Sequence, residues 1–360
     1  MTSPVAPGSN FANLRNRAPV FVLGSPRSGT TLLYDMLLSA GGFAVYLAES
    51  NVFNLLAPRF GDLSVRASRE RLLEAWLGSK LFRASGLDAE KVTRQVLLDC
   101  RNPGDFLRIV MEAICASQGV PRWAENSPET MLYLPLVKQL IPNALIVHII
   151  RDGRDVALSL GQVRYVRPFP WEKLHSVIGC GLYWEWIVRR GRSFRPLLGA
   201  DYMEVHFEEL LARPQETLDQ IGAFIGQPLD YETIQRVAYG SVSKPNTSFR
   251  TKDPKAVFNP VGRWKKGFSP EELEFFERLV GDTLQELGYS LASGGNKRAG
   301  NLSLKATRLL HRSFFATKFW YKNNSWLRAL RPTLKASDID ATVLADDHPA
   351  ELRVPSSQSS

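Results

Sequence analysis

A three-layer α/β/α fold with a mainly parallel sheet is what this 360-residue chain predicts. Two runs, PVFVLG from Pro19 and ALIVHII from Ala144, are almost wholly apolar, as in strands covered on both faces. Each passes through a short Gly- and Arg-bearing turn into a stretch of helical periodicity. That strand–helix alternation recurs along the chain, and a parallel sheet with helices on both faces accommodates it.

The elements follow in order. PVFVLG is the first strand. TTLLYDMLLSAG, from Thr30, has helical spacing and stops at the Gly41-Gly42 pair. FAVYL, residues 43–47, reads as a second short strand. Residues 67–119 are largely helical, broken by Gly and Pro. SPETMLYLPLVKQLIP begins with Ser127 as N-cap, Pro128 in the first turn and Glu129 near the start. ALIVHII is the strongest strand signal, and RDGRDVALSLGQ follows as strand end and helix start. DYMEVHFEELLARPQETLDQIGAFIG reads strand, turn, helix. SPEELEFFERLVGDTLQELGY is a closing amphipathic helix. The organisation expected is a disordered leader (1–18), one α/β domain (19–290), a basic amphipathic segment (291–336) and a disordered tail (337–360).

The 44% hydrophobic content is enough for a sizeable core, and no run of about 18 apolar residues is long enough to span a bilayer. The N-terminus carries no apolar signal core, and the three cysteines, Cys100, Cys115 and Cys180, are too scattered for a disulfide frame or a zinc site. A reducing, cytoplasmic location is expected. The net charge of +9 is unevenly placed. From Leu287 to Ser337 there are ten Lys and Arg and no Asp or Glu, and the rest of the chain is nearly neutral. Any electrostatic partner is therefore sought first at residues 297–335. Within that stretch Phe315, Phe319, Trp326 and Leu330 share one helical face. Packing back on the domain is the favoured reading, and a membrane surface or an acidic partner the sharper one. No nucleic-acid module is recognisable.

Two strand-to-helix junctions carry chemistry. In GSPRSGTT, residues 24–31, Gly24 and Gly29 let backbone N–H groups curl around an anion, with a helix N-terminus behind them. Arg27 adds a guanidinium fork, and Thr30 and Thr31 add hydroxyls and amides. The spacing G-x-x-x-x-G is that of a nucleotide-binding P-loop, but Thr30 stands where the loop lysine belongs. In IIRDGRDVALSL, residues 149–160, Arg151 and Arg154 sit at a strand end, Asp152 can cap the next helix, and Ser159 lies about two turns in. Two arginines there suggest a second phosphate on another edge of the sheet; a salt-bridged helix start is equally consistent.

With these residues in hand, the chain resembles the sulfotransferases that use 3′-phosphoadenylyl sulfate (PAPS), which have a P-loop-like nucleotide-binding core. Five motifs in order carry the resemblance across residues 19 to 290: GSPRSGTT, the stretch AENSPETMLYLPLVKQLIPNALIVHII, RDGRDVALS, YMEVHFEELLARPQETL and GRWKKGFSPEEL. The resemblance implies that Arg27, Ser28, Gly29, Thr30 and Thr31 bind the 5′-phosphosulfate. Arg151 and Ser159, eight residues apart, would bind the 3′-phosphate, and Arg263 in the late basic loop would approach the cofactor. It implies no metal. It places a general base at Glu49 in YLAES, with Arg27 stabilising the leaving phosphate. His148 is the runner-up in chemical type but reads as a core histidine. His175 and His206 have no supporting pattern.

The pattern departs from the family at Asn126, where many members carry Lys. A missing donor there could come from Arg122, Arg263 or Lys265. His206-Phe207 also replaces a common Arg-Tyr pair. The activity implied is sulfuryl transfer to a hydroxyl, or secondarily an amine, of a carbohydrate, lipid or small metabolite. Residues 50–120 and 162–180 are the expected acceptor walls. The alternatives are a P-loop kinase or NTPase, disfavoured by Thr30 and by the lack of a magnesium-binding strand-end Asp, and a catalytically silent nucleotide-binding protein.

Overall fold

The computed structural model describes residues 15–166, 169, 177–237, 259–293, 302–327 and 333–342. Four strands, β1 (Val20–Leu23), β2 (Ala124–Glu125), β3 (Leu145–Ile150) and β4 (Tyr202–His206), form one parallel sheet in the order β2-β1-β3-β4. Side chains alternate across each strand. Phe21, Leu23, Ile146 and Ile150 enter one apolar core, while Val20, Val22, Leu145, Val147 and Ile149 enter the other. These two cores make the three layers that the uninterrupted apolar strands predict.

The second face is covered by α1 (Thr30–Ser39), through Leu33, Met36 and Leu37, and by a later helix (Pro214–Ile225), through Leu218, Ile221 and Ile225. The first is covered by α2 (Arg66–Leu77), α3 (Ala89–Asp99), α4 (Pro103–Gln118), α5 (Leu134–Leu140), α6 (Gly153–Gln162) and α7 (Val177–Ser193). With the Pro214–Ile225 helix as α8, the later helices are α9 (Pro270–Glu286), α10 (Leu302–Asn323) and α11 (Ala336–Thr342). The start of α9 is fixed by a reciprocal capping box between Ser269 and Glu272.

Four expectations are corrected. FAVYL is not a strand: only Phe43 bridges to Arg122, and the amide of Gln118 grips both the N–H and the carbonyl of Val45, at 2.7 and 2.9 Å. One side chain there replaces a sheet neighbour. Ser127 stands at the N-cap position of the 3₁₀ turn Pro128–Tyr133, but its side chain makes no cap bond; its hydroxyl donates to the buried Glu125 and accepts from the Asn51 N–H at 3.0 Å. The Asn51 N–H takes the place at the hydroxyl that a helix amide would otherwise have. The leader boundary at 18 is too late. Arg15 donates to the Phe224 and Ala200 carbonyls at 2.8 and 2.9 Å, and Ala18 is buried. The tail boundary at 337 is too early, because α11 buries Ile339 and its Asp340 accepts the Lys80 N–H at 2.6 Å.

The basic segment does form a helix. Leu304, His311 and Phe315 of α10 are buried, and Phe315 and Phe319 pack on the ring of Trp186. Trp326 lies past the helix end and is 89% exposed, so it does not share that face; Leu330 lies outside the described residues. No helix among the described residues is long and apolar enough to cross a membrane.

Candidate active site

The sheet order reverses direction between β1 and β3: the chain moves from β1 to β2 on one side, then to β3 on the other. A crevice opens outside the carboxyl ends of strands at such a point. Both junction motifs emerge there, side by side at the centre of the sheet. The expectation of two phosphates on two separate edges is therefore corrected: the two loops are neighbours at the carboxyl end of the sheet, joined by a hydrogen bond.

Arg27 has a left-handed backbone, φ 71°, and its Nε donates to the Ser159 hydroxyl at 3.0 Å. Arg151 donates through Nη1 to the Arg27 carbonyl at 3.0 Å and through Nη2 to the Pro260 carbonyl at 2.5 Å. Its guanidinium also lies over the Phe207 ring, 4.6 Å from the centroid. Burial pushes the Arg151 pKa down; the charges of Asp155 and Glu208 oppose that, and those of Arg263 and Arg27 add to it.

Two buried polar atoms in these motifs have no partner, the Ser28 hydroxyl and Arg151 Nε. Buried polar groups are normally satisfied, so the pair fits an anion with acceptor oxygens. Gly29 supplies the N-cap of α1 at φ 96°, a region that favours glycine. A Cβ there would lie 2.3 Å from Phe207 Cδ2. Phe207, set aside in the sequence as a departure from the family pattern, therefore braces both the loop glycine and Arg151. Thr30 is buried at the helix start and Thr31 is half-buried beside it.

Asp155 is the functional residue that sequence reasoning missed. Its carboxylate accepts the N–H groups of Gly262 and Trp264 at 2.7 and 2.8 Å, and so fixes the backbone on either side of Arg263. Burial raises the Asp155 pKa, while Arg151 and the two backbone donors oppose the rise. The repeated Asp of RDGRD was the available signal. Arg154, by contrast, is no phosphate ligand. It is buried and paired with Asp152 at 2.7 Å and Glu277 at 2.6 Å, and stacked 3.8 Å over Trp264. Asp152 also accepts the Arg154 N–H at 2.9 Å, as the cap read from the sequence. That arginine follows the salt-bridged reading.

Glu49 is half-buried in the irregular segment that follows residues 43–47. Its neighbours fix the segment against the end of β2: Ser50 donates to Glu125 at 2.7 Å, and Asn51, at φ 51°, donates its N–H to Ser127. Burial, then the Glu129 charge, then the Glu49 charge push the Tyr165 hydroxyl above its usual range. Glu129 itself accepts from Tyr183 at 2.7 Å, Tyr165 at 3.1 Å and Lys322 of α10 at 3.1 Å. Burial pushes its carboxyl up, yet Lys322 and the two phenols outweigh burial and hold it below the usual range.

Asn126 is buried at the carboxyl end of β2, and its side-chain oxygen has no partner. Arg122 is no substitute donor. It precedes β2, at the opposite edge of the sheet, where it donates to the Ala18 carbonyl at 2.6 Å and covers the Phe43 ring. Lys265 is exposed, 5.8 Å over the Trp264 ring. His148 is a core residue bonded to the Tyr202 hydroxyl at 2.6 Å, its pKa pushed down to about 4 by burial. His206 meets Tyr289 at 3.2 Å, and His175 lies outside the described residues. Among the described residues no cluster of three or more His, Cys, Asp or Glu could hold a metal ion.

Residues 19–231, more than half of the chain, match the profile of the sulfotransferase family. A putative protein-tyrosine sulfotransferase of Caenorhabditis briggsae is 24% identical over 306 residues, 79% of this chain and 92% of that protein. Protein-tyrosine sulfotransferase A of Caenorhabditis elegans is 25% identical over 278 residues, 75% of this chain and 67% of its own length. An uncharacterized Aquifex aeolicus protein is 23% identical over 275 residues, and this chain spans only 31% of it. The solved sulfotransferase domain of the Synechococcus PCC 7002 olefin synthase has a similar fold, with a TM-score of 0.51, 17% identity, and coverage of 76% of this chain and 95% of that one.

Proposed function

The chain belongs to the sulfotransferase family, and on that premise we propose that it moves a sulfuryl group from PAPS to an acceptor hydroxyl, releasing adenosine 3′,5′-bisphosphate. The observation that carries the donor is the joined cluster of Arg27, Ser159 and Arg151 beside the partnerless Ser28 hydroxyl and Arg151 Nε. Those groups suit a ligand with two clustered anions, as a nucleotide bisphosphate has.

Ser28, Gly29, Thr30, Thr31 and the N-terminus of α1 would hold the phosphosulfate end, and Arg151, Ser159 and Arg263 the 3′-phosphate. When the acceptor oxygen–sulfur bond forms, the bond from sulfur to the phosphate oxygen breaks, and charge accumulates on that phosphate. Fixed donors aimed there lower the barrier, and Arg27 is the donor best joined to both loops. Glu49 takes the acceptor's proton as general base.

Among hydroxyls, the names of the two nematode relatives favour a tyrosine phenol over the alcohol of a carbohydrate, lipid or small metabolite. A phenol, with a pKa near 10, also asks less of a carboxylate base than an aliphatic alcohol does. The donor is tested by thermal unfolding with adenosine 3′,5′-bisphosphate. A ligand at 100 times its Kd adds roughly 2.7 kcal/mol of stability. Stabilisation by ATP–Mg²⁺ and not by the bisphosphate would overturn the proposal. The acceptor is tested by incubating labelled PAPS with tyrosine peptides, glycans and lipid extract, and the labelled class decides.

A further inference from the structure

Helix α10, Leu302–Asn323, lies beyond residues 19–231, which match the family profile. It is apolar on two opposite faces. The inner face, built on Leu304, His311 and Phe315, is buried, and Lys322 on that side is tied to Glu129. At roughly 100° per residue, Leu302, Leu309 and Trp320 fall on the reverse side, with Leu310, Phe314 and Tyr321 beside them. This second stripe faces solvent: Leu302 is 80%, Leu309 65% and Trp320 58% exposed. Lys305 and Arg312 border it on one flank, and Lys318 lies past Phe314 and Tyr321 on the other side, all three exposed. The helix contains no Asp or Glu.

A helix covered on one face ordinarily turns polar residues to water on the other. Here the solvent face carries large apolar and aromatic side chains edged by cations, the pattern of a helix lying in a lipid headgroup region. We propose that this outer face of α10 docks on an anionic lipid bilayer. The occupant is argued from charge complementarity. Three exposed cations frame the apolar stripe, in a region from 287 to 337 that holds no acidic residue. Leu and Trp enter the acyl boundary, while Lys and Arg meet anionic headgroups.

The test is flotation of the full chain with vesicles of phosphatidylcholine, alone or with about one-third phosphatidylserine. The expected result is binding to the anionic vesicles only, weakened by salt. Leu309→Ser with Trp320→Ser should abolish it. Lys305→Glu, Arg312→Glu and Lys318→Glu together should weaken it at least 100-fold, from about fivefold per cation removed. Thermal stabilisation by adenosine 3′,5′-bisphosphate should stay unchanged in both variants, which shows that they fold. No flotation at any anionic fraction overturns the proposal, whichever other partner takes the face. So does binding that both variants retain, and so does a concentration-dependent dimer that the Leu309/Trp320 variant alone dissolves.

Discussion

Gly29→Ala should damage both the fold and the pocket. The new Cβ would sit 2.3 Å from Phe207 Cδ2 and 2.6 Å from Cε2, where ordinary contact begins near 3.4 Å. The ring must therefore retreat by about 1.1 Å, the difference between those values. It cannot do so alone, because the Arg151 guanidinium rests on it and also grips the Arg27 carbonyl. Holding an alanine at φ 96° costs roughly 1–2 kcal/mol, and overpacking a tight site another 1–3 kcal/mol. Urea unfolding should thus show a loss of about 2–5 kcal/mol, and titration calorimetry at least a tenfold loss of affinity for adenosine 3′,5′-bisphosphate. Gly41→Ala is the matched control. Gly41 also has a positive φ, 83°, but a Cβ there meets nothing within 4 Å. It should lose only about 1–2 kcal/mol and leave binding intact. If Gly29→Ala costs no more than Gly41→Ala, and affinity is unchanged, Phe207 does not brace the loop.

Arg27→Ala should lower kcat by about 10²–10³-fold while the urea midpoint stays near wild type, because it removes a donor to the developing phosphate charge. Glu49→Gln should lower kcat by about 10²–10⁴-fold and abolish the acid limb of the pH–rate profile; unchanged turnover would reject Glu49 as base. Asp155→Asn should raise the KM for the donor more than it lowers kcat, since a carboxamide cannot accept both the Gly262 and the Trp264 N–H. Equal KM values would remove Asp155 from loop positioning. His148 titrates near 4 when folded and near 6.5 when unfolded, so its contribution is complete above pH 6.5 and disappears as pH falls towards 4. That amounts to about 3 kcal/mol, and urea midpoints at pH 7 and pH 5 should converge in His148→Gln.

The central architecture was legible because burial on both sides leaves a plain mark. PVFVLG and ALIVHII read as covered strands, and in a parallel sheet the polar junctions after them lie at the carboxyl edge. Which junctions were neighbours was not legible. Strand order depends on helices that cross the sheet, and only the order β2-β1-β3-β4 sets Arg27 against Ser159. FAVYL misled because Phe43, Ala44 and Tyr46 are buried by tertiary packing, while Gln118, some seventy residues away, supplies the hydrogen bonds a ladder would give. Arg151 and Arg154 look alike in RDGRD. Their fates separate only through Glu277 and Trp264, more than a hundred residues later, which claim Arg154 and leave Arg151 Nε without a partner. The solvent face of α10 was hidden for a different reason. Its leucines and aromatics scan as one apolar run, and only the fold shows which half of the cylinder is already covered.

The contacts that close the pocket join distant stretches of chain: Arg27 to Ser159 across 132 residues, Arg151 to Pro260 across 109, Asp155 to Gly262 across 107. A polypeptide emerging from the ribosome would have all four strands by His206, yet would still lack the carbonyl that seats Arg151 and the amides that fasten Arg263. On the proposed donor, capture of the bisphosphate would therefore work as a completion signal. In a refolding or translation time course, molecules retained on an immobilised adenosine bisphosphate would be those whose late loop has arrived, and the sheet alone would pass through unbound.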